Sequence, residues 1–284
     1  LQVAGVAGVP VGADAVAVNV TVVDPTATGF VTAGYAFGIE PRYRLVETAY
    51  RITPPRWPAG LKLRVAVIAD VHAAEPLMPA ERIEQIVART NALSPDITLL
   101  LGDYMASHKW KTRALPPSEW APLFKALKAP LGVHAILGNH DWWDDPQAQR
   151  SRRGPTVSRL ALEKVDIPVY ENDAVRLSKA GQPFWLAGLG DQISFRIGRR
   201  PNGRWRYQGV DDLAGTLAKI TDEAPVILMA HEPDIFPKVP ARVSLTLSGH
   251  THGGQVRLFG YSPVVPSQFG NRYAYGHIVE GGRD

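Results

Sequence analysis

The sequence of 284 residues contains no cysteine. This absence excludes disulfide scaffolds, zinc fingers, iron–sulfur clusters, other thiolate metal sites and cysteine nucleophiles. Any metal site in the chain must therefore be built from His, Asp, Glu, Asn or water ligands. The sequence also lacks a run of about 18 apolar residues, so it predicts no transmembrane helix.

An excess of charge of one sign is also missing, since the formal net charge is only +4. The basic residues are scattered along the sequence, so they favour anionic partners mildly and do not predict specific nucleic-acid binding. The apolar N-terminus has no basic segment before it, and no signal peptide is therefore recognised. We expect the chain as written to be soluble, and its oligomeric state stays open.

Residues 1–33 differ from the rest of the sequence because they contain no Lys or Arg. Valines at alternate positions from 16 to 22 are typical of a β-strand, and residues 29–32 could form a returning strand. We therefore separate residues 1–33, as an accessory β-hairpin or a foreign leader, from a main domain over residues 34–284.

Within the main domain, apolar runs alternate with helical patterns. Ser118 is placed to cap one of the helices. This alternation predicts an α/β fold. The predicted strands cover residues 63–69, 97–101, 132–137, 184–189, 226–229 and 243–247, and the predicted helices include residues 79–93 and 155–164.

Polar side chains follow five of the predicted strands, at the point where each strand ends. Ligands bind outside the carboxyl ends of strands in open α/β sheets, so these side chains should converge. Two divalent cations need an anionic bridge and neutral N and O donors, although strand-end capping would explain any one of the residues alone. The segments are Asp70-Val71-His72, Gly102-Asp103, Gly138-Asn139-His140-Asp141, His231 and Gly249-His250-Thr251-His252-Gly253-Gly254.

This ordered series resembles the calcineurin-like metallophosphoesterase superfamily, and residues 249–255 are similar to its bacterial branch with a GHTHGGQ last motif. The resemblance implies a four-layer α/β/β/α sandwich with the metal site at the C-terminal ends of the strands. It covers residues 34–284, a metallophosphoesterase domain that could lack a final C-terminal strand. Relatives of this branch are often membrane-associated or exported, so the native location stays open.

The resemblance also implies two divalent metal ions, and the N/O ligands leave Mn, Fe, Zn, Co and Ni all open. One ion would be bound by Asp70, His72, Asp103 and His252. The second would share Asp103 and add Asn139, His231 and His250.

In the mechanism that the resemblance implies, a hydroxide bridging the two ions attacks phosphorus while His140 assists the leaving group. Asp141 would orient His140 through a hydrogen bond, with a turn residue as the alternative. Trp142 and Trp143 could form an apolar wall for the leaving group or could simply pack in the core. His108 could reach the substrate, or it could be a solvated loop residue.

The expected activity is hydrolysis of a small-molecule or lipid phosphate ester, with a phosphodiester favoured over a phosphomonoester. Carboxylic ester hydrolysis at the same metal site is an alternative. Two non-catalytic alternatives are a binding module on the same fold and a cell-envelope binding protein that uses residues 1–33. Peripheral membrane contact also stays open.

Overall fold

The computed structural model describes residues 15–20, 45–109, 111–254, 257 and 260–284. The strands are β1 Ala15–Val20, β2 Glu47–Arg51, β3 Leu63–Ile68, β4 Ala74–Glu75, β5 Ile97–Leu100, β6 Arg113–Ala114, β7 Val133–Ala135, β8 Asp173–Lys179, β9 Gln182–Gly188, β10 Phe195–Arg199, β11 Trp205–Gln208, β12 Val226–Met229 and β13 Leu245–Leu247. The α-helices are α1 Ala80–Ala92, α2 Pro117–Phe124, α3 Asn139–Trp143, α4 Pro146–Ser151, α5 Val157–Lys164 and α6 Leu213–Ala218.

The first large sheet has the strand order β2-β1-β3-β5-β7. Strand β1 is antiparallel to β2 and parallel to β3, and β3, β5 and β7 are parallel to one another. Ile68 lies opposite Leu100, and Leu100 lies opposite Ala135. Three strands therefore end at the same level, so the loops that follow them start side by side.

The second large sheet has the order β13-β12-β9-β8. Strand β12 is parallel to β9 and β13, whereas β8 and β9 form an antiparallel pair. Met229 lies opposite both Gly188 and Leu247. The carboxyl ends of β12 and β13 are therefore level as well.

Three apolar layers show how the sheets and helices pack. Side chains of β3 and β5, such as Val65 and Leu99, pack against β9 and β12 between the two sheets. The opposite face of the first sheet packs on α1, α2 and α5, and that of the second sheet on α6. Because both faces of the central strands are buried, their sequences are continuous apolar runs. The predicted four-layer α/β/β/α sandwich is confirmed.

Some local predictions differ from the structure. Helix α2 begins at Pro117 and has Pro116, not Ser118, at its N-cap, without a side-chain cap. Proline fits position 117, the first residue of the helix, because its fixed φ suits the first turn. Strand β8 was not predicted; it is half-exposed and, among the described residues, pairs only with β9.

The predicted N-terminal hairpin is described only in part. Strand β1 lies between β2 and β3 in the first sheet, whereas the predicted returning strand over residues 29–32 lies outside the described residues. Across the described part of the chain, no helix is long and apolar enough to cross a membrane.

Candidate metal centre

The loops after the parallel strands hold their polar residues in an unusual backbone conformation. Asp70, His72, Asp103, His250 and His252 all have positive φ, between 44° and 66°. Residues other than glycine rarely adopt this left-handed backbone conformation, and those that do cluster at functional sites. The conformation lets closely spaced residues turn their side chains toward one point.

Two groups of side chains that could hold a metal ion meet at this edge. The first contains Asp70, His72, Asp103 and His252, and the second contains Asp103, His231 and His250. In each group the ligand atoms all lie within 4.8 Å of one another. Asp103 belongs to both groups, which suits a carboxylate that bridges two cations.

The two ring nitrogens of His231 face different groups, since Nδ1 faces a backbone carbonyl and Nε2 faces Asp103. Its Nδ1 lies 2.6 Å from the carbonyl oxygen of Leu101, and because a carbonyl only accepts, Nδ1 carries the proton. The buried Nε2 has no hydrogen-bond partner and lies 3.2 Å from Asp103 Oδ2. Burial lowers the pKa of His231, but Asp103 outweighs burial and raises that pKa well above its ordinary value. The space between Nε2 and the carboxylate therefore favours a positive charge, either a proton or a metal ion, and this geometry fits a metal ligand.

His72 is held in the same way on the other side of Asp103. Its Nδ1 lies 2.8 Å from the carbonyl oxygen of Met105, and its Nε2 lies 3.0 Å from His252 Nε2 and 3.6 Å from Asp103 Oδ2. Burial lowers the pKa of His72 to about 3 despite the nearby carboxylate. The ring is therefore neutral, which is the form that binds metals.

Asn139 and His250 join the two sheets at the centre. Asn139 is buried at the start of α3, and its Oδ1 lies 2.7 Å from Nδ1 of His250. The backbone N–H of His250 donates to Asp70 Oδ1 at 2.9 Å. All seven predicted ligands thus lie at one edge, with four from the first sheet and three from the second.

The charge of Asp103 is set by its neighbours. Its side chain is only 1% exposed, and burial alone would raise its pKa. His231 reverses that effect and holds the pKa of Asp103 well below its ordinary value. Asp103 is therefore an anion at neutral pH.

Gly138 leaves the space that these groups need. A Cβ atom at this position would lie 2.4 Å from Asp103 Oδ1 and 2.5 Å from His231 Cε1. Real contacts of a Cβ atom are longer than 3.0 Å, so any side chain here must displace a candidate ligand. Gly138 is therefore required for the close approach of Asp103 and His231.

His140 lies at the edge of the centre, with its ring 4.9 Å from the His72 ring. Its Nδ1 lies 3.0 Å from Asp144 Oδ2 and 2.9 Å from Ser107 Oγ. Burial lowers the pKa of His140, but the carboxylates of Asp144 and Asp103 outweigh burial and raise it above its ordinary value. Neither Ser107 nor Asp144 was predicted, although the spacing of four from His140 to Asp144 was a usable signal on a helix.

The predicted hydrogen bond between Asp141 and the His140 ring is wrong, because the Asp141 carboxylate points elsewhere. It accepts hydrogen bonds from the backbone N–H groups of Asp103, Tyr104 and Gly138 and from the Ser158 hydroxyl. Burial raises the pKa of Asp141 to about 7, against the effect of these donors. Asp141 therefore fixes the backbone that carries Asp103.

The three residues predicted to contact substrate lie in different environments. Trp142 is only 2% exposed and packs against Phe195, so the alternative of core packing holds for it. Trp143 is half-buried and meets the His140 ring at 5.3 Å. His108 is also half-buried, and burial, Lys111 and the site histidines lower its pKa.

Comparisons with known proteins agree with this geometry. The family model described as calcineurin-like phosphoesterase matches residues 63–254. The chain is 28% identical to the uncharacterized metallophosphoesterase YkuE of Bacillus subtilis, over 90% of this chain and 82% of that protein. It is also 28% identical to an uncharacterized metallophosphoesterase of Aquifex aeolicus, over 78% of this chain and 74% of that protein.

A third similar protein is longer. The chain is 29% identical to a transmembrane protein with metallophosphoesterase domain from Danio rerio, over 68% of this chain and 41% of that protein. The family uses divalent metal ions, and the matched segment contains every predicted ligand. The chain belongs to the calcineurin-like phosphoesterase family and is a metal-dependent phosphoester hydrolase.

Proposed function

We propose that the chain hydrolyses phosphodiesters in preference to phosphomonoesters, at a centre that holds two divalent metal ions. Asp70, His72, Asp103 and His252 would hold one ion. Asp103, Asn139, His231 and His250 would hold the other. The observation that carries the proposal is the membership of Asp103 in both groups of candidate ligands.

When bound, the ions supply Lewis acidity to a phosphoryl oxygen and lower the pKa of a water molecule. The protein's own side chains set the charge of the centre and the side from which it is open. Buried Asp103 keeps a negative charge at the centre, whereas the His140 and His252 side chains are 23% and 27% exposed. Substrate therefore approaches from the side of these two histidines.

His140 assists the departing alkoxide as a general acid. Its Nδ1 is engaged by Asp144 and Ser107, which leaves Nε2 to hold the proton for the leaving-group oxygen. Asp144 keeps the ring protonated to higher pH by raising its pKa. The half-buried Trp143 ring beyond His140 offers an apolar contact for an ester group, which supports a diester.

The test is hydrolysis of bis-p-nitrophenyl phosphate and p-nitrophenyl phosphate with added Mn²⁺, before and after chelation. We expect turnover of both that chelation removes, with the higher kcat/KM for the diester. Turnover of p-nitrophenyl acetate in the same assay tests the carboxylic ester alternative. Metal-independent turnover, or a preference for the monoester, would contradict the proposal.

The proposed substrate is a small-molecule or lipid phosphate ester, and the proposed setting includes peripheral membrane contact or export. Support comes from the resemblance to the bacterial branch and from the similar proteins whose names include "transmembrane". Fractionation of cells that express the protein tests the setting. Recovery in the cytoplasmic fraction alone would contradict it.

A further inference from the structure

A short two-stranded ribbon beside the centre concentrates positive charge. We call residues 195–208 the arginine ribbon; they include β10, β11 and the turn between them. This segment has no Asp or Glu. Because the whole chain has a net charge of only +4, the remainder of the molecule is close to neutral. The arginines are Arg196, Arg199, Arg200, Arg204 and Arg206.

A β-bulge places two of these arginines on the aromatic face of the ribbon. Arg196 lies opposite Tyr207 and Arg199 lies opposite Trp205, with a register shift between Arg196 and Gly198. Residues three apart lie on opposite faces of a regular strand, and the extra residue of the bulge restores them to one face. The guanidinium of Arg199 accordingly lies 4.2 Å from the Trp205 ring centre.

The same face contacts Trp143, whose ring in turn contacts His140. The Tyr207 ring stacks on Trp143 at 5.2 Å, and the Arg196 guanidinium lies 4.3 Å from the centre of the Trp143 ring. Trp143 Nε1 donates to the carbonyl oxygen of Ile193 at 2.8 Å, which fixes the indole. Ring contacts therefore run without a break from His140 through Trp143 to Arg196.

Arg196 is held by aromatic rings, and within the described part of the chain it has no partner of opposite charge. In the described ranges, no carboxylate lies within ion-pair distance of it and no side-chain hydrogen bond satisfies its guanidinium. Other arginines of the molecule, such as Arg159 and Arg176, pair with carboxylates. A guanidinium stacked in this way keeps its N–H edge free for a planar anionic group.

From this geometry we infer that Arg196, supported by Trp143 and Tyr207, binds a second anionic group on the leaving-group side of the substrate. The inference rests on the proposed function and adds a substrate class to it. The favoured substrates are phosphoesters whose leaving group carries a further phosphate or carboxylate beyond the scissile bond. Arg199 adds positive charge at the outer end of the same face.

The test compares diphenyl phosphate with bis(4-carboxyphenyl) phosphate, which differ only in carboxylates on the rings. The ratio of kcat/KM for the carboxylated over the plain diester is measured in the Mn²⁺-loaded protein and in three variants. Arg196→Ala should lower the ratio about tenfold, mainly through KM, because a charge-assisted hydrogen bond is lost. Arg206→Ala is the matched control, because it removes the same charge from the opposite face.

Arg196→Lys keeps the charge but not the planar fork, so its ratio should lie between those of the parent protein and Arg196→Ala. Equal ratios in the parent protein and both alanine variants would overturn the inference. Calorimetric binding of bis(4-carboxyphenyl) phosphate to the chelated protein gives a readout that needs no turnover. It should be weaker for Arg196→Ala than for Arg206→Ala. If the parent protein turns over neither diester, the proposed function fails, and this binding difference still decides the inference.

An anionic lipid surface is the other source of a similar headgroup. Flotation with vesicles of phosphatidylcholine and phosphatidylglycerol separates the two. Binding to vesicles that Arg196→Ala abolishes, together with an unchanged ratio for the two diesters, would show a membrane surface and overturn the inference. An altered ratio without vesicle binding supports it.

Discussion

The metal centre and the arginine ribbon, which lie on either side of His140, differ in burial and in how their side chains are held. In the metal centre, His72 and His231 are fixed by backbone carbonyl groups, and five of the seven candidate ligands occupy a rare backbone conformation. The arginine ribbon is exposed, and two of its arginines, Arg196 and Arg199, rest on aromatic rings. Chemistry that acts on every phosphoester needs fixed geometry, whereas discrimination among substrates needs an accessible surface. The comparison predicts that changes in the centre affect all substrates alike.

The largest effect should come from Asp103→Ala, because this carboxylate belongs to both groups of candidate ligands. We expect loss of both metal ions and a fall in kcat/KM of roughly 1,000-fold or more for every substrate. Metal content by mass spectrometry and steady-state kinetics check this. The control is Asp173→Ala, which removes an exposed aspartate paired with Lys219. Substantial activity in the Asp103 variant would exclude a bridging role.

His140→Ala should separate chemistry from metal binding. Its metal content should stay unchanged, and kcat should fall roughly 100- to 10,000-fold because the general acid is lost. The loss should be smaller for p-nitrophenyl esters than for alkyl esters, since a good leaving group needs less protonation. A uniform loss for both ester types would point to a role in charge stabilisation instead.

Gly138→Ala should damage the centre through packing alone. The added methyl group overlaps Asp103 and His231, so we expect about 1–3 kcal/mol of destabilisation and weaker metal binding. Thermal unfolding with and without Mn²⁺ measures both effects. An unchanged melting temperature and metal affinity would mean that the loop relaxes freely.

Asp144→Asn should give the smallest effect, a change in pH dependence. The carboxylate raises the pKa of His140, so its removal lowers that pKa and the acid form is lost at lower pH. The alkaline limb of kcat/KM should therefore move to lower pH. Ser107→Ala removes a neutral contact to the same nitrogen and should shift the limb less. An alkaline limb at the same pH in the Asp144 variant would assign that limb to another group.

Much of the centre could be predicted because the fold class fixes where strand ends meet. Asp70, Asp103 and Asn139 are far apart in sequence, yet each follows a parallel strand that ends at the same level. The apolar runs predicted the strands, and the polar motifs that follow them predicted that the ligands meet at the carboxyl ends of those strands. The predicted set of metal-ligand residues lies within one cluster for this reason.

The remaining errors concern features that depend on local angles. Asp141 and Asp144 are both near His140 in sequence, and only the helical turn of α3 decides which carboxylate reaches its ring. The description of the basic residues as scattered overlooked the five arginines within residues 195–208. That Arg196 and Arg199 share one face depends on a bulge. Neither feature has a period that a sequence pattern can show.

The split of the ligands between two sheets has a consequence for how the protein assembles. His72 and His252 lie 180 positions apart, yet their Nε2 atoms are 3.0 Å apart. An ion held between them would close a very long loop of chain, and the entropic cost of closure grows only slowly with loop length. Folds that depend on contacts of such long range fold slowly, because the closure entropy must be paid before these contacts stabilise the chain. Binding of an ion by both histidines would therefore require that the two sheets have already packed together.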